Sequence, residues 1–313
     1  MPGVVVVGSV HVDLVASAAR LPRSGETLPG TGFAIHPGGK GGNQAVQVAL
    51  IGVRSIMIGR VGRDPFGERL RAALQAKGVN TTYLIEDEEA PTGASTVLTG
   101  ENGDYASVIV PGAAGRLGGG DLERARSAFD QADVLLLQLE IDQQTVATAV
   151  AMGKAAGLSV VLNAAPAPAD AAQLPARIWD GVDVLIVNQV EAEMLSGQAI
   201  ADGPAAEGVG VTLLRRYALS AVVVTLAADG AVLARGDGVL RYAARPIPSV
   251  VDTIGAGDAF AGTLAGSLAR GATLEEAVRL ANAAGALAVT RAGAYDALPT
   301  ADAIQAFMGS SRD

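Results

Sequence analysis

A chain of 313 residues with 50% hydrophobic content can bury a sizeable core, as one large domain with an excursion or as two domains. Its formal charge of −9, with basic residues scattered, argues against a nucleic-acid surface, and the absence of cysteine excludes disulfides and cysteine-based zinc or catalytic sites. With only 4% aromatics, the core must be built from small aliphatics in close packing.

The first predicted element is a strand over 4–7, an apolar run too short and too lacking in preceding basic residues for a signal peptide. No apolar run approaches the ~20 residues that cross a bilayer. Extended pieces at 12–18 and 30–35 follow without an intervening helix. A helix at 45–50 and a strand at 55–58 come next, then extended pieces at 94–98 and 105–110 around the turn Glu101, Asn102, Gly103, Asp104. Strands at 134–137, 159–162, 184–187 and 222–225 alternate with helical patterns, which describes a parallel sheet covered on both faces. Ligands of such sheets gather beyond the carboxyl ends of the strands, where Gly8, Gln138, Glu140, Asn163 and Asn188 fall. The run 164–168 reads as a short irregular connection, and no solenoid repeat is present.

Two glycine clusters carry the chemistry. In Asp252, Thr253, Ile254, Gly255, Ala256, Gly257 and Asp258, followed by a helical stretch over 259–270, glycines admit unusual backbone angles and the helix start leaves N–H groups unpaired. That is a cradle for phosphate. A carboxylate there repels phosphate unless it takes a proton from an attacking hydroxyl, so Asp258 points to phosphoryl transfer to an alcohol. The alternative is an ordinary helix start with Asp258 as a first-turn acid. The other cluster, Gly38, Gly39, Lys40, Gly41, Gly42, Asn43 and Gln44, reads as a loop opening the 45–50 helix, with a donor set suited to sugar hydroxyls. A flexible turn with a solvated lysine is its alternative, and no Ser or Thr follows the lysine as in a Walker loop.

These segments resemble the ribokinase-like (PfkB-type) carbohydrate kinases. The match runs over 4–307 and rests on GSVHVDLV at 8–15, LPRSGET at 21–27, PGGKGGNQA at 37–45, GRVGRDPFG at 59–67, QLE at 138–140, VNQVEAE at 187–193 and VDTIGAGDAF at 251–260, in the family's order. The resemblance implies a single kinase domain over 1–313 with a three-layer α/β fold. Its mostly parallel central sheet would be covered by helices, with a small β-sheet lid formed by 12–36 and 94–111. The implied activity is an ATP-dependent sugar kinase with ribose as the expected acceptor. Mg2+ and potassium would assist, in a cytoplasmic homodimer joined through the lid, without nucleic acid or membrane partners.

By the same resemblance Asp258 is the general base, accepting its proton only as the bond to phosphorus forms, because an ordinary aspartate is too weak to act earlier. Gly255, Ala256 and Gly257 would supply amides that neutralise developing charge. The sugar would lie on His11, Asp13, Gly39, Lys40, Asn43, Glu140 and Asp258. The nucleotide would lie on Asn188, Thr225, Leu226, Ala227, Ala228, Asp229, Gly230, Gly257 and Asn282. Glu191 would hold Mg2+ through water, and Asp252, Ile254, Ala288, Arg291, Gly293 and Ala297 would form the potassium loop. For the carboxylates, structural salt bridges and helix first turns are the competing readings.

Four departures bear on specificity. His11 stands where asparagine is common, Ala227 replaces the first glycine of a TxGxxG segment, 112–115 lacks an asparagine often found there, and Ala297 lacks a polar group. A kinase for another pentose, a ketohexose or a nucleoside is therefore an open alternative, as is a silent sugar-binding regulator, which has no need of an intact GAGD. A dinucleotide oxidoreductase is disfavoured, because Gly8 is followed by Ser9, Val10 and His11 with no GxGxxG. His36 and Trp179 read as structural.

Overall fold

The computed structural model describes residues 1–101 and 104–309. Its strands are β1 (Gly3–Val7), β2 (His11–Ala18), β3 (Gly32–Gly38), β4 (Arg54–Gly62), β5 (Asn80–Asp87), β6 (Gly93–Gly100), β7 (Tyr105–Val110), β8 (Val134–Leu137), β9 (Ser159–Asn163), β10 (Val184–Asn188), β11 (Ala221–Thr225), β12 (Ala231–Arg235) and β13 (Gly238–Tyr242). The helices are α1 (Lys40–Leu50), α2 (Pro65–Ala76), α3 (Gly119–Arg124), α4 (Arg126–Phe129), α5 (Gln143–Ala155), α6 (Gln189–Ser196), α7 (Gly203–Arg216), α8 (Ala256–Ala269), α9 (Leu274–Ala288) and α10 (Ala301–Gly309).

Strands β11, β10, β9, β8, β1, β4 and β5 run parallel in that order, and β12 and β13 extend the β11 edge antiparallel. Alternate side chains serve opposite faces. Val4 and Val6 join the core under α1, α2, α8, α9 and α10, while Val5 and Val7 join the core under α3 to α7. Two covered faces explain why β8 is an unbroken, fully buried VLLL. Strand order turns back between β1 and β8, which opens a crevice beyond their carboxyl ends.

The expected extended pieces form a separate sheet, β3-β2-β6-β7, with β2 and β6 parallel and the outer pairs antiparallel. Of the turn expected between β6 and β7, Asn102 and Gly103 lie outside the described residues. Ion pairs at the edge of the large sheet fix the segment that follows the small one. Arg60 of β4 reaches Asp87 at 2.6 Å and Asp121 at 3.1 Å, and Arg116, just after β7, reaches Asp87 at 2.9 Å.

Two helix boundaries differ from expectation. Helix α1 begins at Lys40 and α8 at Ala256, not at residues 45 and 259, so each glycine cluster is part turn and part first helical turn. Gly39 at φ 90° and Gly255 at φ 78° finish the turns, which only glycine does without strain. Glycine is a poor helix former, but packing overrides propensity: a Cβ on Gly41 would lie 2.7 Å from the Ser9 carbonyl oxygen. Strands β5, β12 and β13 were not apparent in the apolar pattern. The two edge strands, β5 and β13, carry mixed polar and apolar faces.

Candidate active site

Helix α1 starts against the segment that leaves β1. Gly42 N–H donates to the Ser9 carbonyl at 2.9 Å, and the bare backbone of Gly39 and Gly41 allows this approach. Lys40, Asn43 and Gln44 are thereby carried to the crevice. Helix α8 lies alongside α1 because Gly262 has no side chain; a Cβ there would come within 2.7 Å of Gln47 Cβ. Asp258, in the first turn of α8, is thus brought beside Asn43 and Gln44, residues more than two hundred positions away.

Asp258 is 7% exposed. Asn43 Nδ2 donates to its Oδ2 at 2.6 Å and Gln44 Nε2 to its Oδ1 at 2.9 Å. Burial pushes this carboxyl above the ordinary aspartate range; Lys40 and the two amides pull the other way without reversing it, and Glu140 adds to the rise. Asn43 Oδ1 is buried with no partner among the described residues. Around the corner, Glu140 accepts from Ser9 Oγ and from the Lys40 N–H at 2.9 Å, and Lys40 Nζ stands 3.6 Å from its other oxygen. Burial opposes the charge on Glu140, but Lys40, Ser9 and His11 outweigh it and hold the carboxyl below its usual range. Burial likewise disfavours charge on Lys40, yet Asp258, Glu140 and Glu191 hold its ammonium above its usual range.

His11 Nε2 lies 3.4 Å from Asp13 Oδ1 on β2. A Cβ on Gly38, the last residue of β3, would fall 2.3 Å from the Asp13 carboxylate, so glycine makes room for it. The expected sugar residues His11, Asp13, Gly39, Lys40, Asn43 and Glu140 therefore gather at the ends of β1, β2 and β8 and the start of α1.

On the other side, Asn188 Oδ1 accepts the Glu191 N–H at 2.9 Å and the Asn188 N–H donates to Glu191 Oε2 at 2.8 Å, a capping box that opens α6. Burial raises the Glu191 carboxyl. Thr225 ends β11, and Leu226, Ala227, Ala228 and Asp229 turn back so that the Leu226 N–H meets the Gly230 carbonyl at 2.7 Å. Ala227 sits at φ 48°, left-handed, where the missing glycine would be unstrained. Asn282 donates to the Ala243 carbonyl at 2.9 Å, and Gly230 packs on Tyr242, so both nucleotide candidates border the chain leaving β13.

Part of the proposed cation set comes together. Both Asp252 carboxylate oxygens accept backbone N–H groups, from Ile254 and Gly293, at 3.0 Å each. The Arg291 N–H donates to the Ala288 carbonyl at 3.3 Å, and the Ala297 methyl is buried and offers no oxygen. Gly255 packs on Ala294, so this loop supports the turn that begins α8.

The sequence places Gln138 and Asn163 at the ligand edge of the sheet without assigning either a task, and gives nothing for Tyr295. Gln138 Nε2 donates to Gln44 Oε1 at 2.6 Å, and Gln44 Nε2 donates to Asn163 Oδ1 at 3.0 Å. Tyr295 is 3% exposed, and burial, Asp258 and Asp13 all push its phenol upward. Polar side chains at the ends of otherwise apolar strands were the available signal for Gln138 and Asn163; Tyr295 had none.

A cradle of helix-start amides, a buried carboxylate and a lysine beyond the ends of a parallel sheet define a phosphotransferase acting on an alcohol. The chain belongs to the family described as pfkB family carbohydrate kinase, whose model matches residues 1–301. Its relatives include a ribokinase of Mus musculus, 36% identical over 299 residues, covering 95% of this chain and 91% of that protein. A ribokinase of Haemophilus influenzae is 32% identical over 295 residues, covering 94% of each. The solved structure of Arabidopsis thaliana ribokinase complexed with ribose and ATP is 28% identical and superposes with a TM-score of 0.91, covering 98% of both chains.

Proposed function

We propose that the chain is an ATP-dependent ribokinase, converting D-ribose and ATP to D-ribose 5-phosphate and ADP. The observation that carries this reading is Asp258, a buried carboxylate held by two amide donors in the first turn of α8. The acceptor hydroxyl attacks the terminal phosphorus of ATP, its proton passes to Asp258, and the bond to the leaving ADP oxygen breaks. N–H groups of Gly255, Ala256 and Gly257 at the start of α8 neutralise the charge that develops, the Ala256 N–H from a long contact with the Thr253 carbonyl at 3.4 Å. The unpartnered Asn43 Oδ1 and the acceptor-rich Asp13 and Glu140 suit a ligand that brings several hydroxyls.

Glu191 has one oxygen committed to the α6 cap and Asn188 its amide oxygen, which fits a hydrated Mg2+ better than direct ligation. Bound to the ATP phosphates, that ion would offset their charge. Asp252 and the carbonyls of Ile254, Ala288, Arg291 and Gly293 form an oxygen-only donor set that suits potassium. A cytoplasmic homodimer through the small sheet completes the reading, supported by exposed Phe33, Val108, Ile109 and Val110.

An ADP-release assay over a panel of sugars and nucleosides tests the proposal. Ribose should give the highest kcat/KM; release with another acceptor and none with ribose would overturn it.

A further inference from the structure

The buried amides behind Asp258 have directions that their surroundings dictate. Asn163, at the end of β9, faces the Ile186 carbonyl, which can only accept, so its Nδ2 donates there at 3.3 Å and its oxygen turns to Gln44. Gln44 therefore spends its amide hydrogens on Asn163 and on Asp258 Oδ1. Its oxygen is left for Gln138, whose Nε2 donates at 2.6 Å. Reversing Gln44 would set its oxygen against the Asp258 carboxylate and its hydrogens against the Gln138 amide.

Gln138 is fully buried at the β1–β8 crevice, and its Oε1 has no partner among the described residues. A Cβ on Gly8 would lie 2.0 Å from that oxygen, so bare backbone makes room for the amide. An unpaired buried amide oxygen lowers stability, and an apolar side chain of similar shape would avoid that loss. The fold keeps the amide nonetheless.

We propose that Gln138 and Gln44 are positioning residues for the base. Gln138 locks the Gln44 amide so that it donates to Asp258 Oδ1 while Asn43 donates to Oδ2, and the carboxylate is fixed with lone pairs free for the acceptor hydroxyl. The proposal rests on the reading of Asp258 as the base. Four other ionisable groups face Asp258: Lys40 from α1, Glu140 beyond β8, Glu191 from α6 and Tyr295 from the segment before α10. All four stay unchanged in the test, so a moved pH profile reports on the amides.

In Gln138→Met, kcat should fall by roughly ten-fold, the scale of weakening a hydrogen bond to a charged group. The acid limb of kcat should move to higher pH, since a carboxylate that loses a donor is protonated more readily. Ribose KM should stay within about two-fold and the melting temperature should change little, because the substitution removes the unpaired Gln138 Oε1 but leaves Gln44 Oε1 without its donor, a split that a merely structural residue would not give. Gln138→Asn, too short to reach Gln44, should show the same acid-limb shift. Parent-like kcat and acid limb in either variant overturn the proposal.

If neither variant folds, the unaltered chain decides: the side-chain amide protons of Gln44, followed by NMR, should shift as Asp258 ionises. Signals that do not move overturn the proposal. Asp258→Asn separates the two readings. Parent-like turnover there removes the base reading and this inference with it, whereas an inactive Asp258→Asn beside a parent-like Gln138→Met removes the inference alone.

Discussion

At Asp258 burial pushes the carboxyl upward, with Lys40 as the cation that opposes the effect of burial. Its raised pKa has a definite sign in stability: the penalty is absent below the unfolded value and grows as pH rises through the folded one. Glu140 has the opposite sign, since its stabilisation is lost as pH falls through its depressed folded value. Asp258→Asn should therefore melt no lower than the parent at neutral pH while kcat drops by roughly 10²- to 10⁴-fold. Asn43 can accommodate the change by turning its amide, because its Oδ1 has no partner to lose. Calorimetry and steady-state kinetics on one preparation check both halves. For the acceptor, Asp13→Ala and Asn43→Ala should each weaken ribose binding by about 1 to 3 kcal/mol, as hydroxyls left unpaired in a closed site would. Parent-like ribose KM in both variants would move the sugar elsewhere.

The elements that hold these residues differ in how plainly the chain announces them. Buried parallel strands such as β8 and β10 are continuous apolar runs, and their limits were legible to within a residue or so. Edge strands β5 and β13 were not, because one-sided burial dilutes the pattern. The glycine clusters were legible as loops that open helices, but not the residues at which the helices begin, since the contact of Gly41 with Ser9 is a tertiary fact. Likewise, no local pattern pairs Gln44 with Gln138 or Asp258; only the packing of α1 on α8 and β8 does. Two element-scale predictions follow from the turns. Ala227 already holds a left-handed backbone, so Ala227→Gly should stabilise the chain by up to about 1 kcal/mol and leave ATP KM within about two-fold. Urea unfolding and an ATP titration test this; a large drop in ATP KM would mean that the alanine had displaced the turn. The Asp252 loop supports the start of α8, so exchanging potassium chloride for tetramethylammonium chloride at matched ionic strength should lower kcat more than it raises ribose KM. Equal rates would remove potassium from the reading.

At the scale of the whole molecule, the two sheets divide the work. The large sheet, with helix on both faces, supplies the rigid floor, while β7 leaves an apolar edge carrying Val108 at 66% and Ile109 at 50% exposed. Such an edge is a template for pairing with another chain. Val108→Asp combined with Phe33→Ser should convert a sedimenting dimer to a monomer; a parent chain that sediments as a monomer at micromolar concentration would end that idea. The order of elements also separates the two halves of the chemistry. Of the proposed acceptor residues, all but Asp258 come from β2, α1 and the segments beside α1 and β8, in the first half of the chain. The residues proposed for the nucleotide and the ions come from β10 onward. On the proposed roles, choice of sugar and use of ATP are separable: grafting residues 8–42 from a relative with another preference, with Asn43, Gln44 and Gln138 retained because they hold the Asp258 carboxylate, should re-address the acceptor while leaving the nucleotide half untouched.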